Sequence, residues 1–317
     1  MQFLDDDIDF AQYLKDRDGQ KIRAASTWTD AVLNRIKGLN GTTGDVLPWS
    51  KTHGQVQLRP GEVSVWAGIN GHGKSLMLGQ AMLWLLPYAR VLIASMEMKP
   101  EATIERMLRQ AAGVHHPSED SVRQFMGWSD DRLWIYDQLD SVHTDKILGM
   151  VSYATDRLGI QHIVVDSLMK CGLAPDDYGA QKRFVDQLCW LAKSTGIHIH
   201  LVAHMRKRDR EGQLPDKFDI KGAGEITDLA DNVFIVHRNK DKEESLRLGA
   251  TPISDSPDAT LTVAKQRHGE WEGKILLWFD QKSNQFIPRP NAGAMPWPTP
   301  EAQYQPFIQD AGAPVAR

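Results

Sequence analysis

The chain has 317 residues, of which 41% are hydrophobic and 25% are charged, and its formal net charge is -4. A chain of this size can bury one large core, and it contains no stretch near the ~20 consecutive apolar residues of a membrane-spanning helix. The acidic balance excludes a globally basic surface, so any nucleic-acid contact must come from a local patch or from several copies of the chain.

The N-terminal segment and the cysteines indicate the compartment. Residues Met1–Asp7 are acidic where a signal peptide would be basic. The two cysteines, Cys171 and Cys189, lack metal-ligand spacing and fit small core positions in a reducing environment. The sequence therefore predicts a cytoplasmic protein with no membrane partner and no zinc site.

Two short amphipathic segments precede the main domain, residues 1–17 and Trp28–Ile36. Each carries apolar residues at helical spacing among charges, and each is too small to bury much surface alone. The run Gly41–Gly44 then separates them from the rest of the chain. We predict an N-terminal helical arm over residues 1–46.

Residues 47–287 alternate apolar, strand-like runs with helical stretches. Near-continuous apolar runs separated by helices indicate an α/β fold with a mostly parallel sheet covered on both faces. The predicted strands are Val63–Ala67, Val91–Ser95, Leu133–Tyr136, His162–Asp166, His198–Ala203, Asn232–His237, Thr260–Ala264 and Ile275–Phe279. Residues 288–317 are rich in proline, alanine and glycine, which predicts a disordered tail.

The most informative segment lies between the first predicted strand and a helical run. It fits the phosphate-binding pattern G-x-x-x-x-G-K-[ST] with the residues Gly68, Ile69, Asn70, Gly71, His72, Gly73, Lys74 and Ser75. A glycine turn at a helix N-terminus directs backbone N–H groups and the positive helix end toward one anion. Lys74 would reach the β- and γ-phosphates of a nucleoside triphosphate, and the Ser75 hydroxyl would ligate Mg²⁺. The alternative is a purely structural glycine turn.

Two acidic residues follow later strands and are candidates for hydrolysis. Asp166 ends an apolar strand, where a carboxylate can complete the Mg²⁺ shell; the alternative is an ordinary strand-end aspartate. Glu97 follows the strand at 91–95, which we expect to pair beside the loop strand, and its carboxylate would act as a general base. The alternative for Glu97 is an acid that complements a helix dipole.

A third strand ends in His204, whose imidazole could sense the γ-phosphate. The segment that follows, Met205–Lys217, contains five cations and three acids with glycine and proline between them. Beside a phosphate-sensing strand end, it is a candidate for gripping a nucleic-acid backbone; the alternative is a solvated charge run. No aromatic residue interleaves these cations, which favours backbone contacts over base stacking.

Six blocks in this order resemble the RecA-like motor domain of ring-shaped replicative DNA helicases, and the likeness covers residues 47–287. The blocks are Gly68–Ser75, Ser95–Met98, Val164–Ser167, Val202–His204, Gly222–Ile226 and Lys265–Arg267. The second block and the sequence from Ala264 to Gly269 resemble DnaB-type helicases. The histidine at position 204 resembles that of phage primase-helicases and the mitochondrial replicative helicase.

The resemblance implies an ATPase that needs Mg²⁺ and forms a hexameric ring around single-stranded DNA, moving 5′ to 3′. It makes Glu97 the catalytic base, Asp166 the Mg²⁺-shell acid and His204 the γ-phosphate sensor. Lys265 and Arg267 would act across a subunit boundary on the neighbour's nucleotide.

The resemblance also implies contacts to the nucleotide base, to DNA and to other subunits. Arg238 and Phe279 match positions that pack on the base. The early helices fit a linker that docks on the next subunit. DNA contacts would come from two central loops, the one after Asp166 with Lys170 and the basic one with Arg206, Lys207, Arg208, Arg210, Lys217, Lys221 and Gly222.

The chain departs from its family in length. There is room ahead of residue 47 for neither a primase nor the usual N-terminal helicase domain, so we expect a minimal motor of phage type without priming activity. A primase, a polymerase or a loader would be a separate partner. Two other functions fit the same residues: a RecA- or RadA-like recombination ATPase, and a DNA-binding or loading protein switched by nucleotide without processive unwinding.

Overall fold

The computed structural model describes residues 24–36, 44–174, 176–206, 215–220, 223–249 and 256–295. In these residues nine strands form one sheet, and all eight predicted strands are confirmed, with β9 in addition. The strands are β1 (Val63–Gly68), β2 (Val91–Ser95), β3 (Leu133–Ile135), β4 (His162–Asp166), β5 (His198–His204), β6 (Asn232–Arg238), β7 (Ala259–Gln266), β8 (Gly273–Asp280) and β9 (Gln285–Ile287).

The strand order in the sheet is β3-β2-β4-β5-β1-β6-β7-β8-β9. The pairs from β3 to β6 are parallel and those from β6 to β9 are antiparallel. The expectation that β2 pairs beside β1 is wrong, because β4 and β5 lie between them. An apolar run shows that a strand is buried, but it carries no information on which buried strand lies next to it.

The helices in the described residues have recognisable start and stop signals. Pro100 occupies the first turn of its helix, and Gly113 ends the same helix in the left-handed conformation. None of these helices is long and apolar enough to cross a bilayer. They are α1 (Thr29–Ile36), α2 (Lys74–Leu85), α3 (Pro100–Ala112), α4 (Glu119–Ser129), α5 (Thr144–Leu158), α6 (Tyr178–Thr195), α7 (Ala223–Leu229) and α8 (Lys240–Arg247).

The core has two layers, one on each face of the sheet. Val65 of β1 packs in the layer that contains Phe184 of α6, whereas the next residue, Trp66, packs in the layer that contains Met77 of α2 and Phe125 of α4. This alternation is the two-residue period of a strand buried on both faces. Cys171 and Cys189 are buried, as predicted for core positions.

The N-terminal end of the described chain exposes apolar side chains, whereas its C-terminal end is hydrogen-bonded to the domain. The predicted helix at Trp28–Ile36 forms as a 3₁₀ turn followed by α1, and its apolar side chains Trp28, Val32 and Leu33 are exposed. The other predicted arm helix, within residues 1–17, lies outside the described residues. At the far end, the backbone of Met295 exchanges hydrogen bonds with the Gln285 side chain, which anchors Met295 to the domain within the stretch where the sequence predicted a disordered tail. The rest of the tail lies outside the described residues.

Candidate active site

Four neighbouring strands bring the candidate residues to one edge of the sheet. In spatial order, β2 is followed by Glu97, β4 ends in Asp166, β5 ends in His204 and β1 leads into the loop at Gly68. Since the carboxyl ends of parallel strands meet at the same edge, residues far apart in sequence lie side by side there. The displaced position of β2 therefore still leaves Glu97 within reach of the site.

The loop between β1 and α2 is held close to its surroundings. A Cβ on Gly68 would lie 2.6 Å from the Val236 carbonyl oxygen, a distance that no side chain tolerates. Gly73 has φ +85°, and a Cβ there would lie 3.2 Å from the ring of Phe286. Both glycines are thus required by space or by backbone conformation.

Lys74 is the first residue of α2, and its ammonium is bound to the loop itself. Its Nζ donates to the carbonyls of Gly68 (2.9 Å) and Ile69 (3.2 Å). Burial lowers the pKa of Lys74, and the carboxylates of Asp166 and Glu97 oppose that shift. A phosphate would be a stronger, charge-assisted partner than two neutral carbonyls, so the donor set of the loop fits an anion.

Ser75 and Asp166 meet directly. Ser75 Oγ donates to Asp166 Oδ2 at 2.5 Å. Burial raises the pKa of Asp166, while the hydrogen bond from Ser75 lowers it. Hydroxyl and carboxylate oxygens are ligands that Mg²⁺ accepts, so this pair fits a magnesium site beside the loop.

Glu97, Ser167 and His204 form a connected group that ends on the loop. Ser167 Oγ donates to Glu97 Oε1 at 2.8 Å, and His204 Nε2 lies 3.2 Å from Ser167 Oγ and 3.4 Å from Glu97 Oε1. The opposite ring nitrogen, His204 Nδ1, contacts Asn70 Oδ1 of the loop. The hydrogen bond with His204 lowers the pKa of Glu97 to about 2, against the effect of burial and with help from Ser167. Glu97 is therefore ionised at neutral pH, as a general base must be.

The structure shows the contacts of Glu97 and adds Ser167 to the group. The Glu97 carboxylate contacts Ser167 and His204, and α3 begins three residues later at Pro100. Ser167 had no predicted role. A serine after a strand-end aspartate is common in loops, and only the fold brings it between Glu97 and His204.

His72 supports the loop from behind. It is 5% exposed, and its Nδ1 accepts the backbone N–H of Arg238 at 3.1 Å, which fastens the loop to the end of β6. Burial lowers the pKa of His72 to about 4, with a further contribution from His237. The neutral ring is thus a structural contact between the loop and β6. The Arg238 side chain forms an ion pair with Glu243.

Phe279 is separated from the loop by a second ring. It packs against Phe286 with ring centroids 5.3 Å apart, and Phe286 in turn lies against Gly73. Phe286 belongs to β9, a three-residue strand too short for its pattern to be read from the sequence. The structure therefore places Phe286 against the loop, and packing of Phe279 on a nucleotide base stays a prediction.

Lys265 and Arg267 lie at the other, amino edge of the sheet. Lys265 pairs near the start of β6, and the backbone N–H of Arg267 donates to the carbonyl of Asp231, the residue before β6, at 2.7 Å. The start of β6 is level with Ser64, four residues before Gly68. At about 3.3 Å per residue these cations begin roughly 13 Å along the strand from the loop, so neither approaches the loop of its own chain.

Both cations are bound to the C-terminal end of α7. Lys265 Nζ donates to the carbonyls of Thr227 (2.7 Å) and Asp228 (2.9 Å), and the Arg267 guanidinium donates to Asp228 (2.8 Å). The buried carboxylate of Asp231 lies 3.3 Å from Arg267 Nε. Cations are stabilised at a helix C-terminus, which accounts for their position in the isolated chain.

The predicted DNA-contacting residues are described only in part. Arg206 is exposed and donates to the Tyr178 hydroxyl at 3.3 Å, and Lys217 begins a short 3₁₀ helix. Lys207, Arg208, Arg210, Lys221 and Gly222 lie outside the described residues.

The fold and the site together define a class of protein. A mostly parallel sheet with a glycine-rich phosphate loop after β1, an acid after β4 and helices on both faces is the RecA-like arrangement of P-loop ATPase domains. The family model for the DnaB-like helicase C-terminal domain matches residues 51–288, so the chain belongs to that family.

Individual relatives agree with this membership. The chain is 27% identical over 263 residues to a DNA helicase/primase of Enterobacteria phage T3, covering 75% of this chain and 44% of the relative. It is 24% identical over 269 residues to the chloroplastic/mitochondrial Twinkle homolog protein of Arabidopsis thaliana, covering 78% and 37%. The chain thus spans less than half the length of these two relatives.

Solved structures agree on the fold. A structure described as an isolated ATPase domain superposes with a TM-score of 0.70 at 16% identity, covering 84% of this chain and 99% of that one. A DnaB-like replicative helicase, studied with its interactions with primase, superposes with a TM-score of 0.69 at 16% identity, covering 84% and 68%. At this identity the likeness supports the fold alone.

Proposed function

We propose that the protein is an ATP-dependent, ring-forming replicative DNA helicase that moves along single-stranded DNA in the 5′ to 3′ direction of its family. The carrying observation is the contact of His204 with both Asn70 of the loop and Glu97, the candidate base. Two residues after His204 the chain reaches Arg206 and the basic loop. The end of β5 therefore connects the nucleotide site to the basic loop that we propose binds DNA.

The residues at the carboxyl edge divide the work of hydrolysis among them. Lys74 and the loop amides would bind the phosphates, and Ser75 with Asp166 would hold Mg²⁺, which would supply positive charge against the phosphates. Glu97 takes the proton of the attacking water, and Ser167 keeps its carboxylate oriented. His204 reports the presence of the γ-phosphate to the segment that follows it. Phe279 and Arg238 pack near the nucleotide base.

The distant position of Lys265 and Arg267 supports a site completed by a second copy. Neither reaches the loop of its own chain, and a cation supplied in trans stabilises transition-state charge only after assembly. Six copies around a channel would also repeat the basic loop, which reconciles a net charge of -4 with an anionic partner. The exposed apolar face of α1 fits an arm that docks on the next subunit and fastens the ring.

Replication partners and location follow from the same proposal. A primase, a polymerase or a loader would act with the ring as separate proteins, and the site of action would be the cytoplasm of a bacterial cell or of a phage-infected host.

The function is tested with purified protein, ATP, Mg²⁺ and a forked DNA substrate. We expect ATP hydrolysis that single-stranded DNA stimulates, hexamers by sedimentation, and strand separation that requires a 5′ tail. Strand exchange with helical filaments would replace the helicase with a recombination ATPase. DNA binding that depends on ATP but proceeds without turnover would instead indicate a nucleotide-switched loading protein.

Neutralising the basic loop is expected to weaken DNA binding selectively. The triple variant Arg206→Ala, Lys207→Ala, Arg208→Ala should flatten the plot of log affinity against log salt by about 2, because three phosphate contacts are lost on a single strand. ATP hydrolysis without DNA should persist. The measurement is anisotropy of a labelled oligonucleotide across a salt series.

A matched triple of exposed cations on other elements, Arg123→Ala, Arg247→Ala, Lys274→Ala, removes the same charge and serves as the control. An equal loss of affinity in both triples would mean that only overall charge matters. Unchanged affinity in the first triple would move the DNA grip to another surface.

A further inference from the structure

The aromatic side chain of Phe218 is exposed to solvent beside the basic loop that we propose binds DNA. It is 71% exposed, more than any other large aromatic residue that the structure describes. Single exposed apolar residues are normal on protein surfaces, so exposure alone implies nothing. The backbone that holds Phe218 and the cations around it give the residue its significance.

The backbone on both sides of Phe218 is fixed. Phe218 lies in the 3₁₀ turn Lys217–Asp219, which is closed by a capping box with Asp216. The Asp219 carbonyl accepts the Arg206 N–H at 2.8 Å, and the fully buried Ile220 pairs with the strand end. The ring is therefore displayed from a braced turn at the end of β5.

One cation lies over this ring, and a second cation lies on a segment that is hydrogen-bonded to the same turn. Lys217 Nζ lies 5.7 Å from the Phe218 ring centroid. Arg206, whose backbone holds the turn, donates through its side chain to the hydroxyl of Tyr178, a second aromatic that is 42% exposed. Two exposed rings, one with a lysine over it and the other hydrogen-bonded to an arginine, suit a ligand that carries both flat faces and negative charge. An apolar protein partner would need the rings but not the cations.

We propose that Phe218 stacks on a base of single-stranded DNA while Lys217 and Arg206 bind the adjacent phosphates, with Tyr178 as a second aromatic contact. This inference rests on the proposed DNA-translocating function. It goes beyond that function because it assigns the protein a contact with the DNA bases in addition to contacts with the DNA backbone. It differs from the sequence-based expectation of backbone contacts without base stacking, since Phe218 follows directly on the last cation of that segment.

The position of the ring gives the contact a mechanical consequence. The two residues after Phe218 are tied to the end of β5: the Asp219 carbonyl accepts the Arg206 N–H, and Ile220 pairs with Met205. Met205 and Arg206 directly follow His204, the proposed γ-phosphate sensor. A base stacked on this ring would move with the end of β5 whenever His204 shifts. Each subunit would then carry one base-sized contact coupled to its own nucleotide.

The test compares two ligands of equal length and charge, an oligothymidine and an abasic oligonucleotide, by anisotropy with the full chain. Phe218→Ala should weaken oligothymidine binding by at least about 5-fold, the lower figure for loss of one stacked base, because every subunit loses its ring, and abasic binding by less than about 2-fold. Phe218→Trp should restore oligothymidine affinity. Leu248→Ala, which alters an equally exposed apolar residue, is the control.

Each other result is decisive. If the unaltered chain binds neither oligonucleotide, the proposed DNA function fails. If it binds both, but Phe218→Ala changes nothing or weakens the two equally, the stacking proposal fails while the function stands. If Phe218→Ala converts rings to smaller species on sedimentation, the residue belongs to a subunit contact and the proposal is overturned.

Discussion

Replacing Arg267 with alanine is expected to lower ATP turnover by about 10³- to 10⁵-fold while nucleotide binding is retained, the range for removing a cation supplied in trans. The physical reason is position. The guanidinium lies at the amino edge of the sheet, on α7 and Asp231, so it contributes nothing to phosphate binding by its own loop. Turnover is measured at saturating ATP, and binding with a fluorescent nucleotide.

The control for this variant is Arg247→Ala, which removes an exposed arginine whose ion pair in the described part of the chain is with its helical neighbour Glu244. Because Arg267 also binds α7, thermal unfolding and sedimentation of both variants must accompany the rates. Normal hydrolysis by a correctly assembled Arg267→Ala protein would remove this residue from the catalytic site.

Replacing Glu97 with glutamine is expected to lower turnover by about 10²- to 10⁴-fold without loss of ATP or DNA binding. Glutamine keeps the shape and can still accept from Ser167, but it cannot take a proton from water. The hydrogen bond with His204 holds the pKa of Glu97 at about 2, so the base is ionised at any working pH and the substitution removes that charge.

Single-turnover hydrolysis measures this effect apart from product release. Ser167→Ala is the informative companion, because it removes an orienting hydrogen bond but leaves the carboxylate, and should cost less than Glu97→Gln. Full turnover by Glu97→Gln would show that another group serves as the base.

The sequence predicted the parts of the fold that depend on local pattern. Eight strands were visible because each is a short run of buried apolar residues, and the phosphate loop because its glycines and lysine have fixed spacing. The ninth strand was missed because it offers only two apolar residues, Phe286 and Ile287, whereas the equally short β3 lies in an apolar run of four. The neighbours of β2 were missed because pairing is decided by packing across the whole sheet.

The residues of the candidate site also divide into those that a local sequence pattern reveals and those that only the fold brings together. Glu97, Asp166 and His204 were found at strand ends, where ligand-binding residues of α/β sheets lie. Ser167 and Phe286 were not, because their importance comes only from contacts with residues distant in sequence. The opposite edge position of Lys265 and Arg267 also needed the register of β7 on β6, which the sequence does not encode in any short motif.

The claim that two subunits share each hydrolytic site is tested most directly by mixing two inactive variants. Lys74→Ala lacks the lysine proposed to bind phosphate but keeps Arg267. Arg267→Ala keeps Lys74 but lacks the arginine that would act on the neighbouring subunit's nucleotide. In mixed rings, an Arg267→Ala subunit next to a Lys74→Ala subunit regains a complete site. Random assembly from equal amounts gives such a site at about a quarter of the boundaries.

Co-expressed with different tags and purified through both, the mixed rings should therefore hydrolyse ATP at up to about a quarter of the unaltered rate, while either variant alone stays inactive. Each variant mixed with unaltered chain shows that subunits co-assemble. Mixed rings that remain as inactive as the separate variants would contradict the account, because they would place both residues in the same subunit's site.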